Sequence, residues 1–442
     1  MSKLDELMKE LCPDGVEYKT LGEVATDIYR GSGITRDQVT EDGISCVRYG
    51  EIYTTYGIWF DKCKSHTHLA EIASPKYFEH GDILFAITGE SVEEIAKSTA
   101  YIGNEKCLAG GDIVILKHNQ NPKFLSYALS TYDAQQQKSR GKIKSKVVHS
   151  SVPAISEITI PVPPLPVQEE IVRILDKFTE LTAELTAELT ARRKQYEYYR
   201  DALLSFDGVT PPLTFGAGGN TLPDGLLKSV CKTQWKMVRL GDVCEIARGA
   251  SPRPIQNYLT TAEEGIPWIK IGDVGINSKY VEKTAEHITK KGAEKSRLVK
   301  KGDFILSNSM SFGRPYILKI SGCIHDGWIF MRNYENYFLT DFLYYLLRCS
   351  KVQSDWRQRA SSGTVSNLNS DIVKATQIPL PPLAAQERIV AILDRFDSLC
   401  NDISQGLPAE IEARRKQYEY YRDKLLSFPR KRDTLDAKEV LV

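Results

Sequence analysis

The chain has 442 residues, 42% hydrophobic and 26% charged, with a formal net charge of +1. That length exceeds what one hydrophobic core serves and predicts two to four domains of a soluble globular protein. A balance so near neutral excludes a uniformly basic coat, so any nucleic-acid reading must rest on local patches. No run approaches the ~18 apolar residues of a membrane helix, and the charged start Met-Ser-Lys-Leu-Asp-Glu-Leu-Met is unlike a signal peptide. The 9 cysteines are scattered and never form Cys-x-x-Cys. They point to core thiols in a reducing, cytoplasmic setting rather than to disulfides or zinc.

In chain order, residues 2–11 predict a short helix with Leu4, Leu7 and Leu11 on one face, stopped at Pro13-Asp14-Gly15. A first globular segment, 1–159, carries short apolar runs at 43–47, 81–85 and 112–116 that predict strands, and a short helix at 124–129. Residues 160–206 predict a long helix. The stretch 207–234 is loop chemistry throughout, with Thr210-Pro211-Pro212 and Gly216-Ala217-Gly218-Gly219, and predicts a linker. A second globular segment, 235–377, follows the plan of the first: Leu240-Gly241 answers Leu21-Gly22, and Gly302-Asp303 answers Gly81-Asp82. A second helix, 378–428, should bend near 405–408, where Gly406 and Pro408 interrupt it, before a tail at 429–442.

The two helical stretches are nearly one sentence written twice. Ile-Pro-x-Pro-Pro-Leu at 160–165 leads into Gln168-Glu169, Ile171-Val172, Ile174-Leu175-Asp176 and Phe178; the same wording returns 218 positions later. Ala-Arg-Arg-Lys-Gln-Tyr-Glu-Tyr-Tyr-Arg closes both copies, at 191–200 and 413–422. Fixed-order repetition of this length predicts one unit duplicated and then diverged. In the first copy Ile171, Leu175, Phe178, Leu181, Leu185, Leu189, Tyr196, Tyr199 and Leu203 recur at steps of three and four. The resulting apolar stripe, on a rod of about 60 Å, needs a partner, and the second copy is the obvious one. The expected class is therefore α+β: two similar mixed α/β domains separated by two long helices packed as an antiparallel coiled coil. Within the first helix, Thr-Ala-Glu-Leu occurs twice in tandem at 182–189.

With these motifs the chain resembles a specificity subunit of a type I DNA restriction–modification system. The resemblance covers essentially the whole chain, most specifically the duplicated helical pattern. It implies two target-recognition domains, each reading one half of a split, asymmetric site on double-stranded DNA. It also implies a helical spacer that docks two modification (methyltransferase) subunits, with ATP-dependent restriction subunits joining them. S-adenosylmethionine, ATP and Mg are then cofactors of the partner subunits, and this chain carries none.

Candidate DNA contacts follow from charge and side-chain chemistry. Lys138, Arg140, Lys142, Lys144 and Lys146 alternate without an acid among them, and on an extended segment would share one face along the phosphates. The corresponding second stretch offers Arg357, Arg359, Ser361, Thr364, Asn367 and Asn369, and Arg and Asn suit guanine and adenine edges. Further candidates are Arg48 and Lys270 in matching Gly-Ile motifs, and Arg253, Asn308 and Arg314. By resemblance, Arg192, Tyr196, Tyr199, Arg414, Tyr418 and Tyr421 would face the modification subunits, although the tyrosines also fit the helical stripe.

The sequence carries no amino-methylation motif and no Gly-x4-Gly-Lys-Ser/Thr phosphate loop, so catalysis by this chain alone is not expected. Two other readings remain open at this point. One is a self-contained DNA methyltransferase or nuclease with an unfamiliar site; the other is a coiled-coil adaptor without sequence preference.

Overall fold

A computed structural model describes residues 2–142, 146–205, 235–275, 278–309, 311–361, 367–401 and 406–431. It resolves two compact units: residues 1–184 with 412–442, and residues 185–411. The expected linker at 207–234 and nearly all of the tail at 429–442 lie outside the described residues.

The first unit is built on a five-stranded sheet in the order Ala25–Arg30, Ile113–His118, Ile83–Ala86, Ser98–Tyr101, Trp59–Phe60. Ile83–Ala86 and Ile113–His118 bury nearly every side chain, as central strands with both faces covered must. A four-stranded sheet of Ser65–Thr67, Ile44–Val47, Cys107–Ala109 and Tyr77–Phe78 accompanies it. The globule is closed by a two-stranded ribbon in which Tyr18–Thr20 pairs antiparallel with Thr159–Pro161. Entry and exit of the chain are thus tied together just before the proline-rich lead-in to the helix.

The second unit repeats this plan. Its main sheet runs Glu245–Arg248, Trp328–Arg332, Phe304–Ser307, Pro315–Leu318, Tyr280–Val281, the same sequence of equivalent strands. Lys236–Arg239 pairs with Gln377–Leu380 as the closing ribbon.

The first long helix spans Leu165–Ser205. The second stretch forms two helices, Leu383–Asn401 and Leu407–Leu425, with residues 402–405 outside the described set. Pro408 sits in the first turn of the latter, where a missing N–H costs nothing, and Gly406 supplies the carbonyl that the amides of Ala409 and Glu410 bond. Within the first unit, Val167, Ile171 and Leu175 share a core with Phe124 and Leu426, and Phe178 stacks on Tyr421 at 5.5 Å. Within the second, Tyr199 stacks on Phe396 at 5.4 Å, and Tyr196 packs in the core with Ile389 and Leu393. Burial raises the Tyr196 hydroxyl pKa, and the nearby Asp397 carboxylate pushes in the same direction. Positions 196 and 199 therefore face 397 and 396, an antiparallel pair.

The repeated Gln of Gln-Glu has a structural role that the sequence did not announce. Gln168 is fully buried; its Oε1 accepts from the Asn121 amide at 3.0 Å, and its Nε2 donates to Pro163 O at 2.7 Å and Gln120 Oε1 at 2.8 Å. Gln386 repeats this with the Leu339 amide, Pro381 O and Tyr337 O. Each glutamine fastens its helix to the proline turn and to the loop that starts the globule's own helix. Gln168→Ala would strand several buried polar groups at about 1–3 kcal/mol each. Urea unfolding should show the first unit destabilised by roughly 3 kcal/mol, beyond the ~0.5 kcal/mol usual for a surface change.

Candidate nucleic-acid interface

The alternating basic run does not form an extended face. Thr131 caps a helix, Tyr132–Ser139, by accepting from the Ala134 amide, so Lys138 lies on a helix rather than on a strand. Lys138 is only 4% exposed and its Nζ donates to Leu129 O at 2.8 Å and Ser98 Oγ at 3.3 Å. Burial pushes its pKa down to about 7. It is therefore a core residue and cannot track phosphates. Arg140 and Lys146 are exposed, Lys142 is half-buried, and Lys144 lies outside the described residues.

In the second unit Arg357 and Arg359 are exposed on the helix Ser350–Ala360, but Arg359 is paired with Asp355 at 2.9 Å. The Ser361 hydroxyl donates to Gln358 O, closing that helix. Thr364 lies outside the described residues, and Asn367 is exposed. Asn369 is an N-cap: its Oδ1 accepts from the amides of Asp371 and Ile372. That carbonyl oxygen is committed to the helix start, a local signal that Asn-Ser-Asp already carried.

Arg253 and Asn308 meet at one place. The Arg253 guanidinium pairs with Asp326 at 3.2 Å, while the Asn308 amide donates to Asp326 O at 3.2 Å. Burial raises the Asp326 carboxyl pKa, but the Ser251 hydroxyl, His325 and Arg253 outweigh it and leave the pKa lowered. Asn308 is buried and braces this loop, whereas Arg253 remains 83% exposed at its side chain. Arg48 and Lys270 occupy matching places, each ending a strand and preceding a short helical turn. Lys270 is held by Glu286 at 2.5 Å, and the Arg48 Nε is buried without a partner among the described residues.

One cluster was only half visible in sequence. Arg314 and Arg357 line a cavity of about 390 Å³ together with Arg200 and Arg348, the first from the long helix and the second from the end of the helix Thr340–Arg348. The loop carrying Arg314 turns at Gly313, with φ +69°, where an added Cβ would sit 2.8 Å from the Trp356 ring.

The helix tyrosines sort differently from the expectation. Tyr196 and Tyr199 are buried at 3% and 1% exposure and fill the interior of their unit rather than facing outward, whereas Tyr418 is half-buried, with its ring 6.4 Å from that of Tyr127. Tyr421 lies on Phe178 yet keeps one edge open. The outward tyrosine is Tyr420, at 61% exposure, which the stripe periodicity would have identified as off-face. Arg192 and Arg414 each donate to a glutamine three residues on, Gln195 and Gln417, at 3.1 Å.

Among the described residues no helix is long and apolar enough to cross a membrane, and no group of three or more His, Cys, Asp or Glu side chains is placed to hold a metal ion.

The family model for the type I restriction modification DNA specificity domain matches residues 13–192 and again 232–413. A type I restriction enzyme specificity subunit of Haemophilus influenzae is 35% identical over 298 residues, covering 65% of this chain and 68% of that one. One of Escherichia coli is 35% identical over 290 residues, covering 62% and 64%. A type I specificity subunit of Mycoplasma pneumoniae is 29% identical over 290 residues, 63% of this chain and 99% of that one. The fold matches a chain from a structure of the type I R-M system described for its complex assembly and conformational transition. There the TM-score is 0.61 at 20% identity, covering 94% of this chain and 98% of that one.

Proposed function

Since the chain belongs to the type I restriction modification DNA specificity family, twice over along its length, we propose that it is the sequence-reading subunit of such a complex. Each unit reads one half of a bipartite, asymmetric site on duplex DNA. The helices set the gap between the halves and dock two methyltransferase subunits, which restriction subunits join. The chain contributes recognition and assembly without catalysis; S-adenosylmethionine serves the methyltransferase subunits, and ATP and Mg serve the restriction subunits.

The observation that carries this reading is a shared frame with exchanged surface chemistry. Both units have the same strand order, the same closing ribbon and the same buried glutamine anchor. At position 139 the first unit places a serine whose hydroxyl is spent on Gln135 O and Val92 O. The second unit places the exposed Arg357 at the position 218 residues on. Two readers that share a scaffold while their surface side chains have diverged engage the two halves of a split site differently, as an asymmetric site requires.

The test is genome-wide adenine methylation in cells supplied with this chain and its methyltransferase partner. The expected result is one split motif with unequal halves, absent when this chain is omitted. Methyl-donor binding or DNA methylation by the isolated chain would overturn the reading in favour of a self-contained enzyme.

A further inference from the structure

The second unit gathers four guanidinium groups, those of Arg200, Arg314, Arg348 and Arg357, around one cavity of about 390 Å³ with no carboxylate in its lining. Guanidinium groups do not shed their charge in proteins, and like charges brought together out of bulk water repel. The groups that hold them in place are visible for three, Arg314 being hydrogen-bonded to the Tyr316 side chain. Arg200 is 8% exposed, lies over the Tyr196 ring and pairs with its neighbour Asp201 at 3.0 Å. Arg348 donates to the Tyr344 hydroxyl at 2.8 Å and stacks over that ring. Among the described residues Arg314, Arg348 and Arg357 form no ion pair within 4.0 Å, although the Asp397 carboxylate acts on Arg348 from further away. The Ser311 hydroxyl and the Gln353 amide add neutral hydrogen-bonding groups to the wall.

The equivalent place in the first unit keeps only the counterpart of Arg200, Arg422, which lies over the Tyr418 ring and pairs with Asp423. Ser130 and Ser139 stand where Arg348 and Arg357 stand, and both hydroxyls donate to their own helix carbonyls. Lys97, which precedes strand Ser98–Tyr101 as Arg314 precedes Pro315–Leu318, donates to Tyr53 O. The concentration of charge is thus a property of one unit and not of the scaffold.

We propose that this cavity binds a single phosphodiester of the DNA backbone, clamping the second unit on its half-site. The inference rests on the DNA-reading role proposed above and adds where one backbone contact is made. Arginine forks match phosphate oxygens bidentately. The two outer arginines do the contacting: Arg357 is exposed and Arg314 half-buried. Arg200 and Arg348, held by the helix and the tyrosines, supply fixed charge behind them. Such a contact fixes register and carries no base information.

The test uses the full chain assembled with its methyltransferase subunits, measuring affinity for cognate and random duplexes across salt concentrations. For the double variant Arg314→Gln, Arg357→Gln, the slope of log affinity on log salt should fall by about 0.9, the value for one phosphate. The loss should be equal on both duplexes, leaving their ratio unchanged, and lysines at both positions should restore the slope. An unchanged slope overturns the proposal. So does a slope unchanged while inorganic phosphate raises the melting temperature of the wild type but not of the variant, which marks a free-anion site. Loss of methyltransferase assembly at unchanged slope also overturns it and marks a protein contact. If the wild-type complex does not prefer its cognate duplex, the specificity reading fails separately, because the slope comparison stands on random duplex alone.

Discussion

Replacing Lys138 by methionine should stabilise the first unit by roughly 2 kcal/mol at pH 7 and flatten its stability between pH 7 and 10. Lys138 is fully enclosed, and burial pulls its pKa down to about 7, against about 10.4 in an unfolded chain. Between those values the unfolded chain binds a proton that the folded one does not. Stability therefore rises with pH across the window, is fully present above about 10.4, and is lost as pH falls toward 7. The span is a little over three pH units, on the order of 4 kcal/mol. Methionine removes that penalty while matching the aliphatic stem. It also leaves Leu129 O and Ser98 Oγ without their donor, which costs about 1–3 kcal/mol and sets the smaller net gain. The second unit has already dispensed with the charge: 218 positions on stands Trp356, fully buried, its indole N–H donating to Thr376 Oγ1 at 2.8 Å. Urea midpoints read on the first unit at pH 7, 8.5 and 9.5 decide the matter. A wild type whose midpoint does not climb with pH, or a Lys138→Met variant less stable at pH 7, would show that the ammonium is charged and well accommodated.

The duplicated frame was legible because its spacing is rigid. The order of motifs pointed to two similar units and to an antiparallel helix pairing before any side chain was placed. The positions that escaped were those where one letter serves two environments. Lysine at every second residue reads as a strand face, yet Tyr-Asp-Ala-Gln-Gln-Gln behind a threonine cap is also a helix start, and the helix put Lys138 inside. Tyr196, Tyr199 and Tyr420 sit within homologous Tyr-rich endings; only the helical phase separates the buried ones from the outward one. The burial of Gln168 was not legible because nothing local reveals that a proline-rich turn, which has few amides to offer its own carbonyls, will be satisfied by it. The arginine cavity draws on the long helix, a hairpin loop and two further helices, and no window of sequence contains all four of its cations.

Inserting one further Thr-Ala-Glu-Leu unit after Leu189 should lengthen the unread gap of the methylated site by one to two base pairs while leaving both half-site sequences unchanged. The division between the two compact units falls between Glu184 and Leu185, inside the tandem repeat. Most of 181–188 is exposed or half-exposed, whereas the apolar positions toward both ends, Ile171, Leu175, Tyr196 and Tyr199, are buried. An insertion there touches few contacts within either unit. Four helical residues add about 6 Å of rise and about 40° of rotation. Measured against 3.4 Å per base step, the rise favours two base pairs, while a rotation of this size favours one. Phase discriminates more sharply than length. A single inserted alanine adds only about 1.5 Å but rotates the downstream part of the helix by about 100°, and it should abolish methylation rather than shift the gap. Sequencing of methylated adenines for both insertions tests this directly. Altered half-site bases with an unchanged gap would remove the spacer role from the repeat. Methylation unaffected by the single alanine would mean that the two units are not phased through this helix.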